Sequence, residues 1–341
     1  MILRDGSNPL FEGVFINNED VTHIKLLSKY NRQRELDDVD VGTENGDEKM
    51  VAYRDSDRFI SQAKLLQRSA EGVVGLEDAN TSMCAHDRLE FNMQQAAESS
   101  RGFGLDLLGR LVRRQGNDVS GTTGGSRAQL QSTIGETTGC PTTRQVALVA
   151  AAADCSYVTA NGNSSATRAN IISIYNSASA VYEEQLNISL GLSNIVMSDA
   201  ECPNTASSSA PWNSACPSSF SMDNDLSLFS AWRGERGNDG IALWTLLTGC
   251  SSGAEVGVAW LGQLCQYTAQ TQGNTSVSGT NVVSATQSQW QVLAHEIGHG
   301  FGAYHDCTSQ TCPTTQVCCP LSATVCDANQ QFIVHPSLTL H

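Results

Sequence analysis

The chain has no lysine after Lys64. Across 341 residues, 20 Lys and Arg stand against 35 Asp and Glu, a formal net charge of -15. That balance excludes the broad basic face of a nucleic-acid-binding protein. No apolar run reaches the ~18 residues that a membrane-spanning helix needs, so no membrane span is expected in this chain. The opening residues, MILRDGSNPLFEG, lack the apolar core of a secretory signal peptide. No internal repeat is visible.

What is present is a sufficient core and an abundance of cysteine. Apolar residues make up 40% of the chain, enough to exclude wholesale disorder. Twelve cysteines suggest either metal and redox chemistry or a disulfide framework. Asn80, Asn163, Asn187 and Asn274 each open an Asn-x-Ser/Thr glycosylation pattern. Together these features favour the secretory pathway and a secreted or cell-surface destination. The missing signal peptide is then read as a recorded start downstream of the true one.

Charge and cysteine divide the chain near residue 114. Residues 1–114 hold 15 of the 20 basic residues, and residues 115–341 hold 11 of the 12 cysteines. A shift that sharp marks a boundary. Arg113 and Arg114 form a basic pair followed by a Gly/Ser/Thr-rich stretch, 115–142, read as a flexible linker. Two readings stay open there: cleavage after Arg114 by a subtilisin-like processing protease, or the uncut basic end of an amphipathic helix.

Downstream, element types alternate. Residues 146–158 form a continuous apolar run, expected as a strand buried on both faces. Helical spacing covers 166–185, and period-two alternation follows from Ile188. A helix is expected at 223–236, strands at 241–248, 256–264 and 276–284, and a last helix at about 287–301. This order predicts an α/β (α+β) fold with a mixed sheet.

The last helix carries HEIGHGFGAYHD, residues 295–306. His295 and His299 are four apart and share a helix face. Two imidazoles so placed can meet one zinc ion at ~2.0–2.1 Å. Glu296, beside His295, is positioned to act as a general base. Gly302 can take positive φ, end the helix and return the chain so that His305 becomes a third ligand. Three neutral nitrogens leave a fourth position for water, the mark of a catalytic Zn2+ site.

This motif resembles the metzincin zinc signature, and Asp306 after the third histidine is typical of the adamalysin (reprolysin, or ADAM) branch. The stretch Gly257, Val258, Ala259, Trp260, Leu261, Gly262 resembles that branch's edge strand, which lies antiparallel to bound substrate. Cys318-Cys319-Pro320 is most similar to ADAM-type proteases of fungi. The resemblance implies a metzincin catalytic domain over 143–341, with a mostly parallel five-stranded sheet and the zinc helix near its C-terminus. It also implies a β-rich pro-region over 1–114. The implied activity is zinc-dependent endopeptidase action on extracellular or cell-surface proteins and peptides, made as a zymogen.

Pro-regions of this family can hold a cysteine against the zinc. Cys84 is the candidate latency cysteine, with His86 a second possible ligand nearby; the alternative is an ordinary disulfide. Cys307, Cys312, Cys318, Cys319 and Cys326 are expected to bridge locally, with one reaching Cys265. The match departs from the family at the turn beneath the metal, where Val334 stands in place of methionine. The chain ends seven residues later, so the C-terminus from about Val334 is read as damaged or alternative. The rival to an active enzyme is a catalytically impaired, disulfide-rich secreted binding module on the same scaffold.

Overall fold

A computed structural model describes residues 83–100 and most of residues 2–54 and 142–334. The basic pair Arg113–Arg114 and the linker up to residue 141 lie outside the described residues. The first part contains β1 (Ile2–Arg4), β2 (Leu10–Phe11), β3 (Gly13–Asn17), β4 (Asp20–Leu26), helix α1 (Leu27–Gln33) and β5 (Met50–Arg54). Strands β3, β4 and β5 form an antiparallel sheet, and His23 on β4 stacks on Tyr53 of β5 with ring centroids 5.0 Å apart. The short strand β6 (Met83–Cys84) and helix α2 (Glu90–Ser100) follow.

The second part builds an α/β layer structure. Its elements are β7 (Gln145–Ala153), α3 (Cys155–Asn161), α4 (Ser164–Leu186), β8 (Ile188–Met197), α5 (Met222–Glu235), β9 (Leu243–Thr248) and β10 (Glu255–Ala259). The hairpin β11 (Gln270–Gln272) and β12 (Thr275–Val277), then β13 (Thr280–Ser284) and α6 (Gln289–Gly300), complete it. The sheet order is β6-β10-β13-β9-β7-β8. Five strands come from the second part, and only the β10–β13 pair among them is antiparallel. The sixth, β6, is supplied by the first part and runs parallel to β10.

The alanine run on β7 explains how this sheet carries cover on both faces. Successive strand side chains point to opposite faces. Ala151 and Ala153 meet Ile171, Tyr175 and Ile297 in one core, while Ala150 and Ala152 meet Phe229, Trp232 and Trp244 in the other. The small side chains let bulky partners approach from either side.

Several sequence expectations are corrected. The strand expected at 146–158 stops at Ala153, because Asp154 caps α3 by accepting from Tyr157 N at 2.7 Å. The strand expected at 256–264 ends at Ala259, since Gly262 (φ 66°) turns the chain to donate its N–H to His299 O at 2.8 Å. The strand expected at 276–284 is two, β12 and β13. Disulfides join Cys155–Cys202, Cys216–Cys250, Cys307–Cys318 and Cys312–Cys326. Among the described residues Cys265 and Cys319 are free, and no described bridge reaches Cys265.

Candidate metal centre

Helix α6 is buried along its whole length, and its His295 and His299 lie one turn apart. Their Nε2 atoms are 2.9 Å apart. Gly302 adopts φ 97° just past the helix, and the N–H of Ala303 closes the turn on Gly298 O at 3.0 Å. His305 then returns, its Nε2 3.2 Å from that of His295. The loop that holds it is pinned by Cys319 N to His305 O, 2.8 Å, and by the Cys307–Cys318 bridge.

Hydrogen bonding assigns the tautomers. Nδ1 of His295 faces Ile333 O at 2.8 Å, and Nδ1 of His299 faces Ala303 O at 2.7 Å. Nδ1 of His305 faces Asp87 Oδ2 at 2.6 Å. All three partners are acceptors, so each Nδ1 carries the proton and each Nε2 presents a lone pair. Burial, together with the neighbouring imidazoles, holds His295 and His299 well below the usual histidine range. Converging lone pairs on neutral rings repel one another unless a cation lies between them. The donor set therefore fits a metal ion.

Cys84 completes the cluster: its donor atom and those of His295, His299 and His305 all lie within 4.8 Å of one another. Its sulfur is 3.6 Å from His299 Nε2, and Cys84 takes part in no disulfide. Burial and the Glu296 charge push the bare thiol upward, an effect that a nearby cation reverses. His86 does not join the donors; its ring stacks on His299 with centroids 3.7 Å apart.

Both carboxylate oxygens of Glu296 are buried without a hydrogen-bond partner of good geometry. Burial pushes its carboxyl up to about 8, with the Cys84 thiol pulling the other way. The space for this side chain exists because residue 257 is glycine: a Cβ there would meet Glu296 Oε1. Val334 lies against α6, where a Cβ at Gly298 would come 3.8 Å from its Cγ1, and its carbonyl accepts from Asp306 N.

The Gly257–Gly262 stretch is covered by residues 83–92. Met83 and Cys84 pair with β10, and Ala85 N donates to Gly257 O at 3.0 Å. Where the strand ends, the Asn92 carboxamide continues the pairing. Its Nδ2 donates to Ala259 O at 2.9 Å, and its Oδ1 accepts from Leu261 N at 2.8 Å. Arg88 links Asp223 at the start of α5 to Glu255 on β10. The contributions of Asp87, Arg88 and Asn92 have no signature in sequence spacing; only the fold brings them here.

A glutamate and three histidines converging at the end of a buried helix, below a mixed sheet, define a metallopeptidase-type site. The Reprolysin_5 family, described as metallo-peptidase family M12, matches residues 142–340, and the chain belongs to it. It is 43% identical to "Disintegrin and metalloproteinase domain-containing protein B" of Aspergillus fumigatus, over 98% of this chain and 44% of that protein. Identity to the protein of the same name from Arthroderma otae is 39%, over 99% and 44%. "Zinc metalloprotease mde10" of Schizosaccharomyces pombe is 28% identical over 57% of this chain and 41% of its own length. The chain thus spans less than half the length of these relatives and is of the fungal ADAM type.

Proposed function

We propose that the chain is a zinc-dependent metalloendopeptidase, made as a zymogen on the secretory pathway and acting on extracellular or cell-surface proteins. The observation that carries this reading is the convergence of three Nε2 lone pairs beside the unpartnered Glu296 carboxylate. His295, His299 and His305 would hold one zinc ion. When bound, zinc supplies Lewis-acid polarisation of the scissile carbonyl and lowers the pKa of attacking water toward ~7.

The remaining steps fall to the protein's own groups. A peptide lies antiparallel along β10, using the backbone groups of Gly257, Ala259 and Leu261 that residues 85 and 92 now occupy. Glu296 takes the proton of the attacking water and passes it to the leaving amine. Bound zinc would counter the burial that pushes this carboxyl up, so that Glu296 is ionised to accept that proton. Gly302 supplies the turn that delivers His305.

Residues 1–114 serve as the pro-region. Segment 83–92 covers the cleft, Cys84 closes the fourth zinc position, and a processing protease cuts after Arg114. The disulfides of the 142–341 part support an oxidising compartment.

A second reading, the catalytically impaired binding module, is favoured by one observation: valine, not methionine, at position 334. A quenched-peptide assay on the processed chain, with and without a chelator, separates the two. Hydrolysis abolished by chelator and restored by zinc supports the enzyme; no hydrolysis from a chain that holds zinc supports the binding module.

A further inference from the structure

The three imidazoles of the cluster are not oriented alike. His295 and His299 each send Nδ1 to a backbone carbonyl within the 142–334 part, Ile333 O and Ala303 O. His305 sends Nδ1 to a carboxylate, and that carboxylate belongs to Asp87, 218 positions upstream. Among the described residues, His305 Nδ1 has no other acceptor.

The backbone around Asp87 is held from both sides. It lies in the short turn His86–Arg88, just after Ala85 N bonds Gly257 O. Arg88, the next residue, makes a paired contact to Asp223, Nε at 3.1 Å and Nη2 at 2.9 Å, and reaches Glu255 at 2.8 Å. Asn92 clamps the segment to Ala259 and Leu261. The Asp87 side chain is itself 69% exposed, so it fills no core. Its contact within the site is the one to His305.

We propose that Asp87 is a positioning residue for the metal centre. Its carboxylate accepts the Nδ1 proton of His305 and fixes the ring with Nε2 turned inward. Segment 83–92 is then an element that retains zinc as well as one that covers the cleft. The inference rests on the reading of His295, His299 and His305 as zinc ligands. Partners of this kind, bonded to the far nitrogen of a metal-bound histidine, fix its orientation and raise its basicity. Once the segment departs, His295 and His299 keep their carbonyl acceptors and His305 alone loses its own. His305 becomes the labile ligand, and the processed enzyme holds zinc less tightly than the full chain.

The test follows zinc transfer from the zinc-loaded full chain to a chromogenic chelator. Asp87→Ala is expected to weaken zinc binding about 10- to 100-fold, the usual cost of losing such a partner. Asp87→Asn, whose amide oxygen still accepts, should lose less, and Asp87→Glu should recover most of the wild-type retention. Arg88→Ala loosens the turn but leaves the Asp87 carboxylate in place, and should lose less zinc than Asp87→Ala. If Asp87→Ala fails to fold, the same-sized Asp87→Asn decides, and faster release than wild type is required.

Wild-type retention in the Asp87 variants overturns the proposal. So does an equal loss in Arg88→Ala, which would reduce Asp87 to an anchor of the segment. His305→Ala separates the levels. Zinc retention at the wild-type level there, beyond what Cys84, His295 and His299 alone would give, defeats the ligand assignment itself, whereas zinc loss there with intact retention in the Asp87 variants defeats only the positioning role.

Discussion

Cys84 and His299 are 215 positions apart in the chain, and the Cys84 sulfur lies 3.6 Å from His299 Nε2. A thiolate is a strong zinc ligand, and here it would take the position that catalysis needs open. Cys84→Ala in the uncleaved chain should therefore raise peptide hydrolysis about tenfold, equivalent to some 1.4 kcal/mol. The gain should stay below that of removing the segment, because Asn92 still occupies Ala259 and Leu261. Hydrolysis of a quenched peptide by wild type and variant, neither exposed to a processing protease, measures this. Equal rates would dismiss the latch.

Gly257 and Glu296 are packed so closely that no side chain fits between them. Gly257→Ala should displace the Glu296 carboxylate by the order of 1 Å, and such a shift costs about 100-fold in rate. Zinc content should not change, since the three histidines are untouched. A kcat/KM near wild type with normal zinc would show that the carboxylate has room elsewhere.

Asp225 on α5 gives a stability prediction away from the metal. Burial, with the charge of Asp154 adding to it, pushes its carboxyl up to about 7 from 3.8. A raised folded-state pKa means that the native state binds the proton more strongly than the unfolded chain does. Its stabilising share is complete below 3.8 and is lost as pH rises through about 7. Asp225→Asn should match wild type near pH 4 and melt higher at pH 8. Each kcal/mol gained corresponds to roughly 2–4 °C for a domain of this size. Melting curves of both proteins across that range check it; a variant that melts lower at pH 8 would refute the assignment.

The metal motif was legible because it is local. Helical spacing places His295 beside His299, and one glycine at Gly302 returns His305, all within eleven residues. The strands and helices of the second part were legible as runs and periods, but not their ends. Asp154 stops β7 by capping the next helix, and Gly262 bends the chain after β10 to reach His299. Those are decided by a side-chain acceptor and a tertiary contact, neither of which leaves a periodic trace.

Segment 83–92 was nearly silent. Cys84 stood out as the only cysteine in residues 1–114, equally compatible with a disulfide. Asp87, Arg88 and Asn92 meet partners 135 to 218 positions away, so spacing carries no hint of them. The stretch Gly257–Gly262 is singled out by resemblance alone, and nothing in the sequence shows that a parallel sixth strand covers it.

The central claim is that Glu296 performs proton transfer at a zinc site built by His295, His299 and His305. Its most direct test is Glu296→Ala in the Cys84→Ala background, with zinc content and hydrolysis of a quenched peptide measured on the same preparation. The account predicts one zinc per chain and no hydrolysis above that of a metal-free control. Hydrolysis at the Cys84→Ala rate, inhibited by chelator, would contradict it.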